Sequence, residues 1–103
     1  MSHWIEVCSE QRIPRGSYET IEYGAWRIAV YHIRDGFFAF EDLCTHNPCP
    51  LSGGPLQGDQ ITCMMHGARF CIKDGRPLGP PAHKPLRCFP VKVADGRVWV
   101  DVA

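Results

Sequence analysis

Two short pairs of metal-binding residue types constrain this chain more than any other feature. Cys44-Thr45-His46 and Cys63-Met64-Met65-His66 are separated by sixteen residues, and each supplies one thiolate and one imidazole. In an extended turn, residues two apart point the same way, so Cys44 and His46 can face one point. The Cys63–His66 spacing suits a tight turn, which also aims backbone N–H groups at the cysteine sulfur. Chance seldom produces two matched pairs at such spacings. A Cys2His2 set admits two centres. One is tetrahedral zinc; the other is a [2Fe–2S] cluster with two Cys on one iron and two His on the other. Either way two loops must clamp one centre, and the rest of the chain must present them.

The 103 residues suit a single small domain spanning 1–103. A chain of this size buries only about two-thirds of its unfolded surface, so a bound centre adds materially to stability. Eleven basic and eleven acidic residues cancel, which argues against a nucleic-acid binder or a polybasic membrane surface. Residues 1–51 carry four Lys/Arg against seven Asp/Glu, and residues 52–103 carry seven against four, a spread expected of a mixed surface. No apolar run reaches signal-peptide or membrane-span length, so the expected location is the cytoplasm. Six cysteines would fit a secreted disulfide framework. With Cys44 and Cys63 committed to metal, the scattered Cys8, Cys49, Cys71 and Cys88 are expected to be free thiols, Cys71 and Cys88 within apolar runs.

Alternation places a first strand at Trp4–Cys8, a loop over Ser9–Gly16 and a second strand at Tyr18–Tyr23. Arg27–Ile33 and Phe37–Phe40 form a hairpin across Arg34-Asp35-Gly36 and run directly into Cys44. A Pro- and Gly-rich connection follows. Gln60–Cys63 then enters the second metal loop, and Ala68–Ile72 leaves it for a turn at Lys73-Asp74-Gly75. After a stiff Pro77–Ala82 segment, Leu86–Ala94 and Arg97–Val102 form a last hairpin over Asp95-Gly96. Val98, Val100 and Val102 share one face of it, and Arg97, Trp99 and Asp101 the other. Many short strands and no long amphipathic helix mean an all-β domain, a small sandwich or barrel.

The context of the two pairs adds a resemblance. Cys44-Thr45-His46, then Pro50-Leu51-Ser52-Gly53-Gly54-Pro55-Leu56-Gln57-Gly58, then Cys63-x-x-His66-Gly67-x-x-Phe70, resembles the Rieske iron–sulfur family. The likeness continues through Asp74-Gly75-Arg76-Pro77, Pro81-Ala82, Lys84-Pro85-Leu86 and Pro90-Val91-Lys92-Val93, covering nearly the whole chain. It looks closest to the small Rieske ferredoxins of bacterial aromatic-ring dioxygenases. The resemblance implies an antiparallel β base bearing a smaller cluster-binding subdomain at about residues 43–82. It implies one [2Fe–2S] cluster per chain, with Cys44 and Cys63 on the buried iron and His46 and His66 on the outer iron through Nδ1. The extra cysteine pair that bridges the ligand loops of respiratory-complex members is incomplete. Cys49 falls at the first place, but Met65 holds the second.

Other residues carry less. Gly53, Gly54 and Gly58 fit either a close approach of amides to cluster sulfides or plain turns. Pro80-Pro81 fits a stiff lid over the cluster or an ordinary rigid connection. His32 reads as structural, His83 as a solvated loop residue and His3 as terminal. Tyr31, Phe37, Phe38 and Phe40 read as core and cross-strand packing. Trp99 reads as covering its sheet rather than as a docking anchor. No nucleophile elbow, phosphate loop, dinucleotide fingerprint or 2-His-1-carboxylate set is present. The resemblance therefore implies an electron carrier, not an enzyme, taking electrons from a flavin-dependent NAD(P)H reductase and passing them to a terminal oxygenase. A monomer is expected, with no nucleic-acid or membrane partner. The rival readings are the small Rieske-like subunit of an assimilatory nitrite reductase and a structural zinc module.

Overall fold

Runs of β-branched and aromatic residues, cut by Gly and Pro, set the architecture in a computed structural model that describes residues 1–45 and 49–103. The strands are β1 (Trp4–Ser9), β2 (Tyr18–Tyr23), β3 (Trp26–Ile33), β4 (Gly36–Glu41), β5 (Leu56–Gln57), β6 (Gln60–Thr62), β7 (Arg69–Cys71), β8 (Cys88–Phe89), β9 (Val91–Ala94) and β10 (Arg97–Asp101). They form three antiparallel sheets, ordered β1-β10-β9, β2-β3-β4-β8 and β5-β6-β7. The all-β expectation holds.

The middle sheet lies between two hydrophobic cores, and the sequence of β3 shows why. Its run Ile28-Ala29-Val30-Tyr31 is buried without a break, because successive side chains point to opposite faces and both faces are covered. Ile28 and Val30 pack with Ile13, Ala39, Phe89, Val98 and Val100 toward the β1-β10-β9 sheet. Ala29, Tyr31 and Ile33 pack on the other side with Phe40, Leu51, Ile61, Phe70, Ile72 and Leu86. Cys44 and Cys63 belong to this second core.

Three local expectations need correction. The predicted strand Leu86–Ala94 is two strands in two sheets. Pro90 has no N–H to give a ladder, so the chain leaves β4 after Phe89 and joins β10 at Val91. The Pro90 carbonyl accepts from Asp101 N at 3.0 Å, which pins the crossing. Within the Pro/Gly connection, Leu56 and Gln57 make a short strand against Ile61 and Gln60. The Ser9–Gly16 loop contains a 3-10 turn, Glu10–Arg12, whose Gln11 N–H donates to the Ser9 hydroxyl. The Asp95-Gly96 turn is as predicted, both residues having positive φ (55° and 73°), as a tight two-residue hairpin requires.

Trp99 lies against its sheet. The Lys92 ammonium sits 4.4 Å from the Trp4 ring centroid and 6.0 Å from that of Trp99, so a cation bridges two indoles on the outer face. Among the described residues, no helix is long and apolar enough to cross a membrane.

Candidate metal centre

The first ligand loop hangs from the end of β4 and is fastened by a buried carboxylate. Asp42, 2% exposed, accepts from Leu51 N (2.8 Å) and Ser52 N (2.7 Å) on Oδ1, and from Ser52 Oγ (2.6 Å) on Oδ2. Arg27 Nε donates to the same carboxylate at 3.0 Å, which supplies the counter-charge that a buried anion needs. Cys44 N–H donates to the Cys49 carbonyl at 2.9 Å. Asp42 thus ties both ends of the loop together, with Cys44 inside the closure. His46 lies outside the described residues.

Asp42→Ala leaves the buried Leu51 amide and the Ser52 amide and hydroxyl without their acceptor, while the half-exposed Arg27 turns to water. The expected cost is about 2–4 kcal/mol, seen as a fall in melting temperature of at least about 8 °C for a domain of this size. Iron content per chain falls with it. Asp42→Asn keeps an oxygen for the amides and is expected to lose less. Thermal melts with iron analysis on the two variants check this, and an Asp42→Ala melt matching wild type would contradict it.

The second ligand loop closes a hairpin between β6 and β7. Cys63 N–H donates to Ala68 O at 2.7 Å, and Gly67 N–H to Cys63 O at 3.0 Å, with Gly67 at φ 75°. Gly54 fixes how this hairpin meets the first loop. A Cβ there would stand 2.2 Å from the carbonyl oxygen of Thr62, the residue before Cys63. The stems of the two loops therefore touch backbone to backbone, and only glycine permits it. Gly53, at φ 87°, donates its N–H to the Tyr31 hydroxyl at 3.2 Å. Burial pushes that phenol up to about 12, so it stays protonated.

The two loops bring the sulfurs into one dry place. Cys44 and Cys63 are 2% and 1% exposed. The Cys49 sulfur is 3.4 Å from that of Cys63, and all six cysteines are unbridged. Burial pushes the Cys63 thiol up, but the Met65 and His66 amides and the Cys49 and Cys44 thiols outweigh it, so the net direction is down. Burial, then the pairing with Cys63, pushes Cys49 up to about 11. Cys63 is therefore the sulfur disposed to be a thiolate, as metal binding requires. Its loop-mates Met64, Met65 and His66 are exposed.

Of the four sequence-predicted ligands, Cys44 and Cys63 are thus brought together in the core, and His66 stands at the surface end of the second loop. Among the described residues, no three His, Cys, Asp or Glu side chains form a group able to hold a single ion. The donor set fits a two-iron cluster: buried soft thiolates from two loops, amide donors aimed at one sulfur, and an imidazole on the solvent side.

The remaining candidates sort as structural. His32 Nδ1 is 2.7 Å from the Ile13 carbonyl, and its ring stacks on Phe37 at 4.0 Å. His3 pairs with the Tyr23 hydroxyl, and His83 is exposed. Tyr31 and Phe40 are buried and stacked at 5.5 Å. The proline segment, with a cis Pro80-Pro81 bond, places Ala82 in the same core as Cys44 and Cys63. Beyond it, the Lys84 carbonyl accepts from the Thr45 hydroxyl at 2.7 Å, which fastens this segment to the first ligand loop. Sequence reasoning missed Asp42, Thr45 and the contact made by Cys49. The only signal was their closeness in sequence to Cys44.

The comparisons agree with this geometry. The family model of the Rieske [2Fe-2S] domain matches residues 3–90. Ferredoxin CarAc of Metapseudomonas resinovorans is 40% identical over 98 residues, which cover 94% of this chain and 92% of that protein. The biphenyl dioxygenase ferredoxin subunit of Pseudomonas sp. (strain KKS102) is 34% identical over 99 residues, 95% of this chain and 91% of that protein. Among solved structures, a chain from the complex of reduced oxygenase and oxidized ferredoxin in carbazole 1,9a-dioxygenase superposes with a TM-score of 0.90 at 39% identity. That match covers 95% of this chain and 92% of the other.

Proposed function

The chain belongs to the Rieske [2Fe–2S] family, and from that premise we propose that it carries single electrons from a flavin-dependent NAD(P)H reductase to a terminal aromatic-ring-hydroxylating oxygenase. One observation carries the reading: two sulfurs from separate loops are buried together in the core while His66, on the second loop, is exposed. Cys44 and Cys63 hold the inner iron, and His46 and His66 the outer one. The cluster, when bound, supplies a centre that gains and loses one electron with every iron position already filled.

The chain's own residues do the rest. Asp42 closes the first loop, Gly54 lets the stem of the second come up against it, and the apolar packing around Cys44 and Cys63 keeps water from the thiolates. His66 stands where a partner can approach, between exposed Met65 and Gly67. Residues 43–82 act as the cluster-bearing part of one domain, 1–103, working as a cytoplasmic monomer. Relatives named as dioxygenase ferredoxin components, matched over nearly their whole length, support this reading over a nitrite reductase subunit.

The test is electron transfer itself. Reduced protein mixed anaerobically with an oxidised biphenyl- or carbazole-type oxygenase is expected to recover its oxidised visible spectrum within the mixing experiment. Adding NADH and a flavin-dependent reductase should then sustain product formation. Failure with every such oxygenase, alongside rapid oxidation by a nitrite reductase, would overturn the assignment.

A further inference from the structure

The Cys49 sulfur is placed too well to be incidental. Its loop is fixed on both sides, by the Cys44 N–H to Cys49 carbonyl bond at 2.9 Å and by the Leu51 and Ser52 amides on Asp42. The side chain is partly buried, packs on the core that contains Cys44 and Cys63, and ends 3.4 Å from the Cys63 sulfur. By geometry alone either sulfur of that pair can be the donor. With iron on Cys63 the choice disappears. A metal-bound thiolate carries no proton, so only Cys49 has an S–H to give. Farther along the second loop, Ala68 and Phe70 are buried and purely apolar, so neither has a side-chain donor to give.

We propose that Cys49 is a positioning residue of the centre, not a ligand, whose thiol donates an S–H···S hydrogen bond to the Cys63 sulfur and sets the cluster's potential. The inference rests on the reading of Cys63 as a cluster ligand. Reduction adds one electron to the cluster and raises the negative charge on its sulfurs, while the proton stays on Cys49. The bond is therefore stronger in the reduced state and raises the potential above that of a chain lacking it. A weak donor in this place gives a smaller rise than a hydroxyl would.

Protein-film voltammetry and EPR on the loaded wild type, Cys49→Ala and Cys49→Ser test it. Cys49→Ala is expected to lower the potential. Cys49→Ser, with a stronger donor on a similar frame, is expected to return it to the wild-type value or above. The EPR signal of a cluster with two nitrogen ligands should persist in all three. An infrared difference spectrum of the wild type, reduced minus oxidised, should show a cysteine S–H band moving to lower frequency, and both variants should lack it. An unchanged potential in Cys49→Ala, equal shifts in the two variants, or a wild-type spectrum without an S–H response would overturn the hydrogen bond. A wild-type EPR signal without nitrogen coupling would instead overturn the ligand reading on which it rests, and the proposal with it.

Discussion

Cys63→Ala and His66→Ala proteins are expected to purify colourless, with iron falling from two atoms per chain to about none and with a lower melting temperature. Cys63 is 1% exposed inside the core, and the neighbouring amides already favour its thiolate. Removing it takes a ligand and leaves a hole beside Ala68 and Phe70. The stability loss has two parts. A site that binds only in the folded state contributes its binding free energy to folding. The truncation also removes buried packing, though only that of one small side chain. His66 is exposed, so His66→Ala loses the first contribution almost alone and separates the two. His66→Cys is expected to keep a cluster at a lower potential, because an anionic thiolate replaces a neutral imidazole; all-Cys plant-type clusters lie near about −400 mV. Met64→Ala and His83→Ala serve as exposed controls that keep their iron. Full iron loading with an unchanged EPR spectrum in His66→Ala would refute the ligand assignment.

The double variant Ala68→Ser with Phe70→Tyr is expected to raise the potential by roughly 100–250 mV. The wild type is expected near the ~−150 mV end of the range for such clusters. Hydrogen bonds to cluster sulfurs stabilise the reduced, more negative state and so raise the potential. High-potential Rieske proteins place a serine hydroxyl directly after the His-Gly of the second loop and a tyrosine hydroxyl two residues later. Here those places are Ala68 and Phe70, both wholly buried in the core that holds the two sulfurs. Each bond to a charged acceptor is worth on the order of 1–3 kcal/mol, and one electron converts at about 43 mV per kcal/mol. A low value suits the place proposed for this chain, between a flavin-dependent reductase and an oxygenase. Protein-film voltammetry on the two proteins decides it: a wild-type potential well above zero, or no upward shift in the double variant, would defeat the argument.

The fold was legible wherever the local pattern and the packing demand agree. The hairpins expected over Arg34-Asp35-Gly36 and Asp95-Gly96 and the alternation of β2 follow from side-chain period and turn chemistry, though Gly36 already pairs with Ile33 as the first residue of β4. What failed was sheet membership. Leu86–Ala94 reads as one strand because its apolar content is continuous, yet Pro90 moves the chain between partners that only the tertiary fold supplies. The short β5 strand was hidden because its Pro and Gly neighbours signal a loop while the pairing depends on Ile61 and Gln60 across the turn.

At the candidate site, the four residues proposed as ligands stand out by the spacing of Cys and His, but their supports do not. Nothing in the sequence says that Asp42 is buried rather than solvated, since that depends on Arg27 and on amides nine and ten residues away. Gly54 and Gly58 look alike in sequence. Only the fold shows that Gly54 meets the Thr62 backbone, while Gly58 faces open space at a turn. The place of Cys49 in its loop was legible, but its approach to Cys63 required both loops to be folded.

Pulsed EPR on the anaerobically purified, reduced protein tests the central claim most directly. A cluster held by Cys44, Cys63, His46 and His66 predicts two iron and two sulfide per chain and two distinct nitrogen couplings, with one lost in His66→Cys. A colourless zinc-only protein, or a reduced cluster with no nitrogen coupling, would contradict it.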